Sequence, residues 1–228
     1  MNRNQFQTQL RDIIELLKDC KLYRDYNAFV NYSNCTATLF RHKTYREVWE
    51  QCIAQKFYDF ILFDDALLQF RADFDEGIFN YVYYEPPFVN YTYADYLVLE
   101  CGFTNEDIQE IGDQYREEYE SYLRDSELRE VVTPSRYDYT PNQYREGRHP
   151  ASHIHIGFGN EIRLGARKIL KPLSFMLFVL RQYYPDKWSE YIRGGVDRAV
   201  IFRNIRENLE DVDPIYFKHF DQYEMALY

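Results

Sequence analysis

Along the first twenty residues apolar side chains return every three or four positions. Phe6, Leu10, Ile13, Ile14 and Leu17 share one face, which predicts an amphipathic helix from about Asn4 to Cys20. Between Tyr26 and Arg41 the pattern changes: Phe29, Val30, Cys35, Thr36, Thr38 and Leu39 suit a hairpin turned at Ser33 and Asn34. Thr44 and Glu47 then form a capping-box signature ahead of Tyr45, Val48, Trp49, Cys52 and Ile53, so a second helix is expected, ending near Gln55.

The clearest strands follow. Phe57 to Phe63, Ala66 to Phe74 and Ile78 to Tyr84 are rich in aromatic and branched residues, with Asp75, Glu76 and Gly77 as the hairpin turn and Pro86 and Pro87 as the stop. Asp64 and Asp65, between the first two strands, read as a solvated turn pair ahead of a metal-ligand pair. Thr104 and Asp107 can cap a helix that carries Ile108, Ile111, Tyr115, Tyr119 and Tyr122 on one side and acidic residues on the other. Strand character resumes at Val131 to Thr133 and in Arg136 to Tyr139. The stretch Glu161 to Leu164 is a short apolar and basic piece.

Lys171 and Pro172 open another helix, and Leu173 to Tyr183 is apolar around nearly its whole circumference, so that helix must be buried. Tyr184 and Pro185 break it. Asp186 is expected to cap a short helix holding Trp188 and Tyr191, and Gly194 with Gly195 separates this from a charged segment and an aromatic tail, IYFKHFDQYEMALY. The tail either packs back on the domain or docks on a partner.

These elements predict one α+β domain over residues 1–228: a mainly antiparallel sheet of five or more strands, with helices at the N-terminus, in the middle and at the C-terminus. Residues 1–56 form a helical and hairpin part and 57–165 the sheet with a helical insertion at 104–127. Residues 171–228 supply the C-terminal helices and tail.

Charge narrows the partners. Against 27 basic residues stand 37 acidic ones, a net charge of −10, so any contact with nucleic acid must use a local patch. The 23 tyrosines and 17 phenylalanines suit core and interface filling better than base stacking. Cys20, Cys35, Cys52 and Cys101 lie too far apart for a zinc ribbon, so reduced, buried thiols are expected. The N-terminus lacks the apolar run of a signal peptide, and Leu173 to Leu180 is too short for a membrane span, which implies a cytoplasmic protein with no membrane contact.

Chemistry concentrates in Ser135 to Gly159, where three of the five histidines fall within seven positions. In an extended chain the triplet His153, Ile154, His155 sets both imidazoles on one face, and Gly157 and Gly159 permit a turn just beyond. Arg136 and Asp138 fall on a different face from Tyr137 and Tyr139. A hairpin-like connection through Thr140 to Pro150 can bring Asp138 beside the imidazoles, with His149 and Arg148 nearby.

Three readings of this group stand open. In the first, His153 and His155 act as acid and base on a phosphodiester, with His149 in support and Arg136 or Arg148 holding phosphate. In the second, Asp138, His149, His153 and His155 bind one divalent transition metal, Zn, Mn or Fe. In the third, the histidines hydrogen-bond backbone and Asp138 to fix a strand corner. The GFG of Gly157 to Gly159 lacks the context of a phosphate loop, Ser152 lacks a nucleophile elbow, and His42 and His219 stand alone.

The ordered series FDDALLQF, NYVYYEPP, SRYDYTP, HPASHIHIG and LKPLSFMLFVLRQYYPDKW resembles an uncharacterised bacterial family known only as domain of unknown function 2290, over roughly Tyr58 to Trp188. Members of that family resemble genes of mobile and antiphage defence regions, which implies a defence role. Arg136, Tyr137, Asp138, His149, Pro150, His153 and His155 are also similar, more weakly, to an Arg-Tyr-Asp strand and Pro-His-His-type motif of small toxins from toxin–antitoxin pairs. This chain departs from that pattern in its length, its extra helices and its HPASHIH spacing.

The resemblances imply a defence or toxin-type effector that cleaves nucleic acid, with Tyr137 beside Arg136 and Arg148 as a substrate contact. The alternative is a non-catalytic subunit of a larger defence complex. Its partner, a fellow subunit or an antitoxin, would dock on acidic and aromatic surfaces.

Overall fold

Seven strands, laid side by side in chain order, make one antiparallel sheet in the computed structural model. The structure describes residues 1–28, 30, 32, 42–89, 92–104, 106–159, 162–195, 200 and 207–223. Helix α1 spans Arg3–Asp19 and strand β1 Tyr23–Tyr26. Helix α2, Tyr45–Ala54, precedes β2 (Phe60–Leu62), β3 (Leu67–Asp73) and β4 (Ile78–Tyr84). Three short helices follow, α3 (Tyr93–Leu99), α4 (Asp107–Ile111) and α5 (Arg116–Arg124). Strands β5 (Ser135–Tyr139), β6 (Ser152–Ile156) and β7 (Leu164–Gly165) complete the sheet before α6 (Pro172–Tyr183) and α7 (Pro185–Arg193).

The capping boxes form as the sequence implies, at Thr44 with Glu47 and also at Asn2 with Gln5. The β3–β4 hairpin pairs from Leu67↔Tyr84 to Asp73↔Ile78, and Gly77 takes the left-handed conformation its turn needs (φ +66°). The helix expected over 104–127 is instead two, because Gly112 (φ +54°) breaks the chain between α4 and α5. Val131 to Thr133 forms no strand, and Asp186 lies within the first turn of α7 rather than capping it. The hairpin expected over Tyr26–Arg41 falls largely outside the described residues; β1 ends at Tyr26.

Side-chain alternation gives the sheet two unlike faces. On one, Phe60, Leu62, Leu68, Phe70, Phe79, Tyr81, Tyr137 and Ile154 pack beneath α1 and α6. Helix α6 meets both α1 and β4, and Phe175, Met176, Val179 and Leu180 are fully buried, as its unbroken apolar surface demands. On the other face Ile61 and Leu67 lie under Trp49, Phe88, Tyr93, Leu97 and Tyr119 of the α2–α5 layer. Cys20 and Cys52 are buried, and burial pushes the Cys20 thiol up to about 11. No described helix is long and apolar enough to cross a membrane.

Phe175 sits edge-on to Phe70 (ring centroids 6.2 Å) and close to Tyr81 (5.8 Å), joining α6 to the middle of the sheet. Replacing it by alanine removes the ring and leaves a cavity. Phe175→Ala should therefore lower the free energy of urea unfolding by about 3–5 kcal/mol.

Candidate metal centre

Strands β5 and β6 pair so that Asp138 lies opposite His153 and Arg136 opposite His155. Tyr137 and Ile154 enter the core under α1 and α6, so Arg136, Asp138, His153 and His155 stand together on the other face. The two imidazole Nε2 atoms are 3.1 Å apart, and Asp138 Oδ2 is 3.7 Å from His153 Nε2 and 3.5 Å from His155 Nε2. Three donor atoms thus define a triangle whose centre is about 2.0 Å from each corner. That is the bond length of zinc to imidazole nitrogen and carboxylate oxygen.

The surroundings orient each donor. His153 Nδ1 is 2.8 Å from the Pro150 carbonyl; a carbonyl only accepts, so Nδ1 carries the hydrogen and the ring's lone pair lies at Nε2, toward His155 and Asp138. Asp138 Oδ1 accepts from the Asn80 side-chain amide on β4, and Oδ2 accepts from Arg136 Nε at 2.8 Å. Burial by itself would push the Asp138 carboxyl up. The hydrogen bond from His155 and the charge of Arg136 outweigh it and hold the carboxyl below the usual range. Burial drives His153 down to about 4, reinforced by His155 and opposed by Asp138, so its ring is neutral at pH 7.

Exposure separates what these groups can do. His153 is 1%, His155 6% and Asp138 8% exposed, whereas the Arg136 side chain is 47% exposed. Neutral at pH 7, the His153 imidazole has no proton to donate as a general acid, which weighs against direct acid–base action by that ring. It has a lone pair to offer an ion. Asp138, His153 and His155 are also a group among the described residues whose ligand atoms all come within 4.8 Å of one another.

The remaining site residues divide. The His149 ring packs edge-on to His153 (centroids 4.9 Å), and its Nδ1 is buried with no hydrogen-bond partner among the described residues. Burial, then the charge of Arg163, lowers its pKa. Arg163 thus stands nearer His149 than sequence reasoning foresaw, while Arg148 is exposed on the turn bounded by the Arg145–His149 backbone pair (3.0 and 2.8 Å).

Tyr137 is a correction. It is sealed in the core, its hydroxyl 3.0 Å from Ser152 Oγ and accepting from Leu170 N–H at 2.9 Å, so it touches no substrate. The Asp64–Asp65 pair makes the expected turn but is not solvated: Asp65 is buried and paired with Arg24 and Arg116. A cavity of about 500 Å³ between α2 and α5 is lined by Trp49, Phe88, Tyr119 and this Asp65 group, and no cluster residue borders it. His42 is exposed, and Gly157 ends β6 with φ +93°.

The described part of the aromatic tail packs back on the domain. Buried Asp221 accepts from Tyr144 Oη (2.5 Å), Gly147 N–H (3.0 Å) and Lys218 N–H (2.8 Å), and Tyr216 lies edge-on to Tyr144.

Residues 19–224 match the family model described as Uncharacterized conserved protein, DUF2290. Neither the curated proteins nor the solved structures give a match.

The buried state of His153 makes stability depend on pH. Its folded value, about 4, lies below the ordinary 6.5, so protons bind the unfolded chain more readily. The neutral ring's contribution is complete above pH 6.5 and is lost as pH falls from 6.5 toward 4, to an extent on the order of 3 kcal/mol. Urea unfolding between pH 7 and 4.5 should show this fall, and His153→Gln should flatten it.

Proposed function

The chain belongs to the uncharacterised conserved family DUF2290, and from its Asp138–His153–His155 triangle we propose a metal-dependent hydrolase that cleaves nucleic acid, acting as a defence or toxin-type effector. The observation that carries this reading is the convergence of two imidazole Nε2 atoms and one carboxylate oxygen on a point about 2.0 Å from all three. A divalent Zn, Mn or Fe ion held there would acidify water and polarise a phosphoryl oxygen.

The chain's own residues supply the rest. His153 and His155 would hold the ion through Nε2 and Asp138 through Oδ2, which would offset part of its charge, while the Pro150 carbonyl and Asn80 fix the orientation of His153 and Asp138. Arg136, half exposed above the triangle, is placed to hold a phosphate and to stabilise the negative charge that grows as the P–O bond to the leaving oxygen breaks. In hydrolysis water adds OH to phosphorus and its proton ends on the departing oxygen; His149, whose ring packs on His153 and whose pKa is lowered, would serve as the base that relays it.

Charge supports a nucleic acid substrate. Residues 135–168 hold six basic and three acidic residues in a chain of net charge −10, and such a local patch is what phosphate recognition requires.

A second reading rests on Ile156, Phe158 and Ile162, exposed apolar residues at and just beyond the end of β6. They favour a subunit that docks a protein partner, a fellow defence subunit or an antitoxin. Phe158→Ser with Ile162→Ser would abolish that association and leave ion binding intact.

Two measurements test the hydrolase. Elemental analysis of the purified protein should give one transition ion per chain, lost in Asp138→Asn and in His153→Ala with His155→Ala. Cleavage of RNA and DNA panels in Mn, Zn or Mg should fall at least about 100-fold in the same variants. Arg136→Ala should keep the ion and lose about 10- to 100-fold in cleavage. A chain that binds no ion and cuts nothing in any of these metals ends the proposal.

A further inference from the structure

A buried carboxylate outside the triangle has no part in the chemistry above. Asp221 is 3% exposed, in a segment where its neighbour Phe220 is largely exposed. Its three donors come from two places. Lys218 N–H belongs to its own turn, whereas Tyr144 Oη and Gly147 N–H belong to the loop joining β5 to β6.

Further contacts join the same two segments. Phe220 N–H donates to Glu146 Oε1 at 3.2 Å, Tyr216 meets Tyr144 edge-on with centroids 5.9 Å apart, and a Cβ on Gly147 would lie 3.3 Å from Phe220 Cβ. Gly147 also has φ +62°, so both space and backbone conformation favour glycine where the segment crosses the loop.

The loop leads directly to the triangle. Arg145 and His149 exchange two backbone hydrogen bonds across the tight turn that contains Gly147, and the His149 ring then rests on His153. Fixing Gly147 therefore fixes His149. An unbroken series of contacts runs from Asp221 through Gly147 and the Arg145–His149 pair to the ring that shares Nε2 with the proposed ion.

We infer that Asp221 is a positioning residue for the metal centre and that Pro214–Tyr223 is a strap holding His149 against His153. The inference rests on the hydrolase reading for its consequence. The strap's hold on His149 can be measured without it. Removing the carboxylate frees the loop, and His149 leaves its buried place.

The test uses the full chain and two readouts. Zinc affinity, by competition with a chromophoric chelator, should fall about tenfold in Asp221→Ala and in His149→Ala, and by no more in the double variant, because the two act through one ring. Asp213→Ala, which removes a cap beside the same segment that accepts from Ile215 N–H, should leave affinity unchanged. Amide hydrogen exchange needs no ion: the His149 N–H, bonded to the Arg145 carbonyl at 2.8 Å, should exchange at least about tenfold faster in Asp221→Ala.

If Asp221→Ala does not fold, Gly147→Ala serves in its place with the same expected shifts. Wild-type affinity in either variant, strictly additive losses in the double variant, or unchanged exchange of the His149 amide would overturn the strap. A wild-type chain that binds no zinc ends the hydrolase reading instead, and the exchange rate still decides whether Asp221 holds His149.

Discussion

The pairing of β5 with β6 is the constraint on which the site depends. Because side chains alternate along a strand, a slip of one residue would send Asp138, His153 and His155 beneath α6 and turn Tyr137 and Ile154 outward. Each misplacement would be costly. Tyr137 and Ile154 are buried in a core that includes Tyr81 and Phe175, while an ionised carboxylate among those rings would be stripped of its partners. The aromatic core on one face thus enforces the polar cluster on the other.

That cluster shows how a charge is kept in a nearly dry place. Asp138 does not rely on solvent. The Asn80 amide, the Arg136 guanidinium and the adjacent imidazoles surround its two oxygens, and together they overcome the desolvation that would protonate it. The imidazoles take the opposite course: His153 avoids the penalty by staying neutral. One charge and a lone pair, rather than three charges, are what the fold sets down there. A ligand set for a borderline-soft divalent ion has the same composition.

The chain's pattern disclosed much of this, for reasons that can be named. The period of two in His153-Ile154-His155 and Arg136-Tyr137-Asp138 is a backbone property, so it predicted both shared faces, and the turn at Asp75–Gly77 fixed the β3–β4 hairpin locally. The same alternation already set Tyr137 apart from Arg136 and Asp138. Its casting as a substrate contact came from the resemblance to toxin motifs, and the core position of its ring corrects it. Asn80 was hidden because its role needs the β4–β5 register, which no local signal fixes. The charge of Arg163 on His149 escaped notice for a similar reason, since loop residues carry no periodicity to aim them. Helix α3 was passed over although Thr92 and Asp95 form a capping box, because its apolar residues cover only two turns.

Burial supports the proposed metal-dependent reading over direct acid–base action. Acid–base catalysis needs an imidazole that exchanges protons near neutrality, and burial lowers His153 to about 4. A purely structural role would have the rings complete their hydrogen bonds within the strand corner. His153 Nδ1 does so, and its Nε2 can accept from His155 Nε2–H at 3.1 Å, whereas His149 Nδ1 has no partner among the described residues. A protein that needed only rigidity there could use apolar side chains of similar volume at less desolvation cost. Under the proposed reading an ion would take the place of the hydrogen shared between the two Nε2 atoms, and the half-exposed Arg136 guanidinium beside Asp138 would meet phosphate.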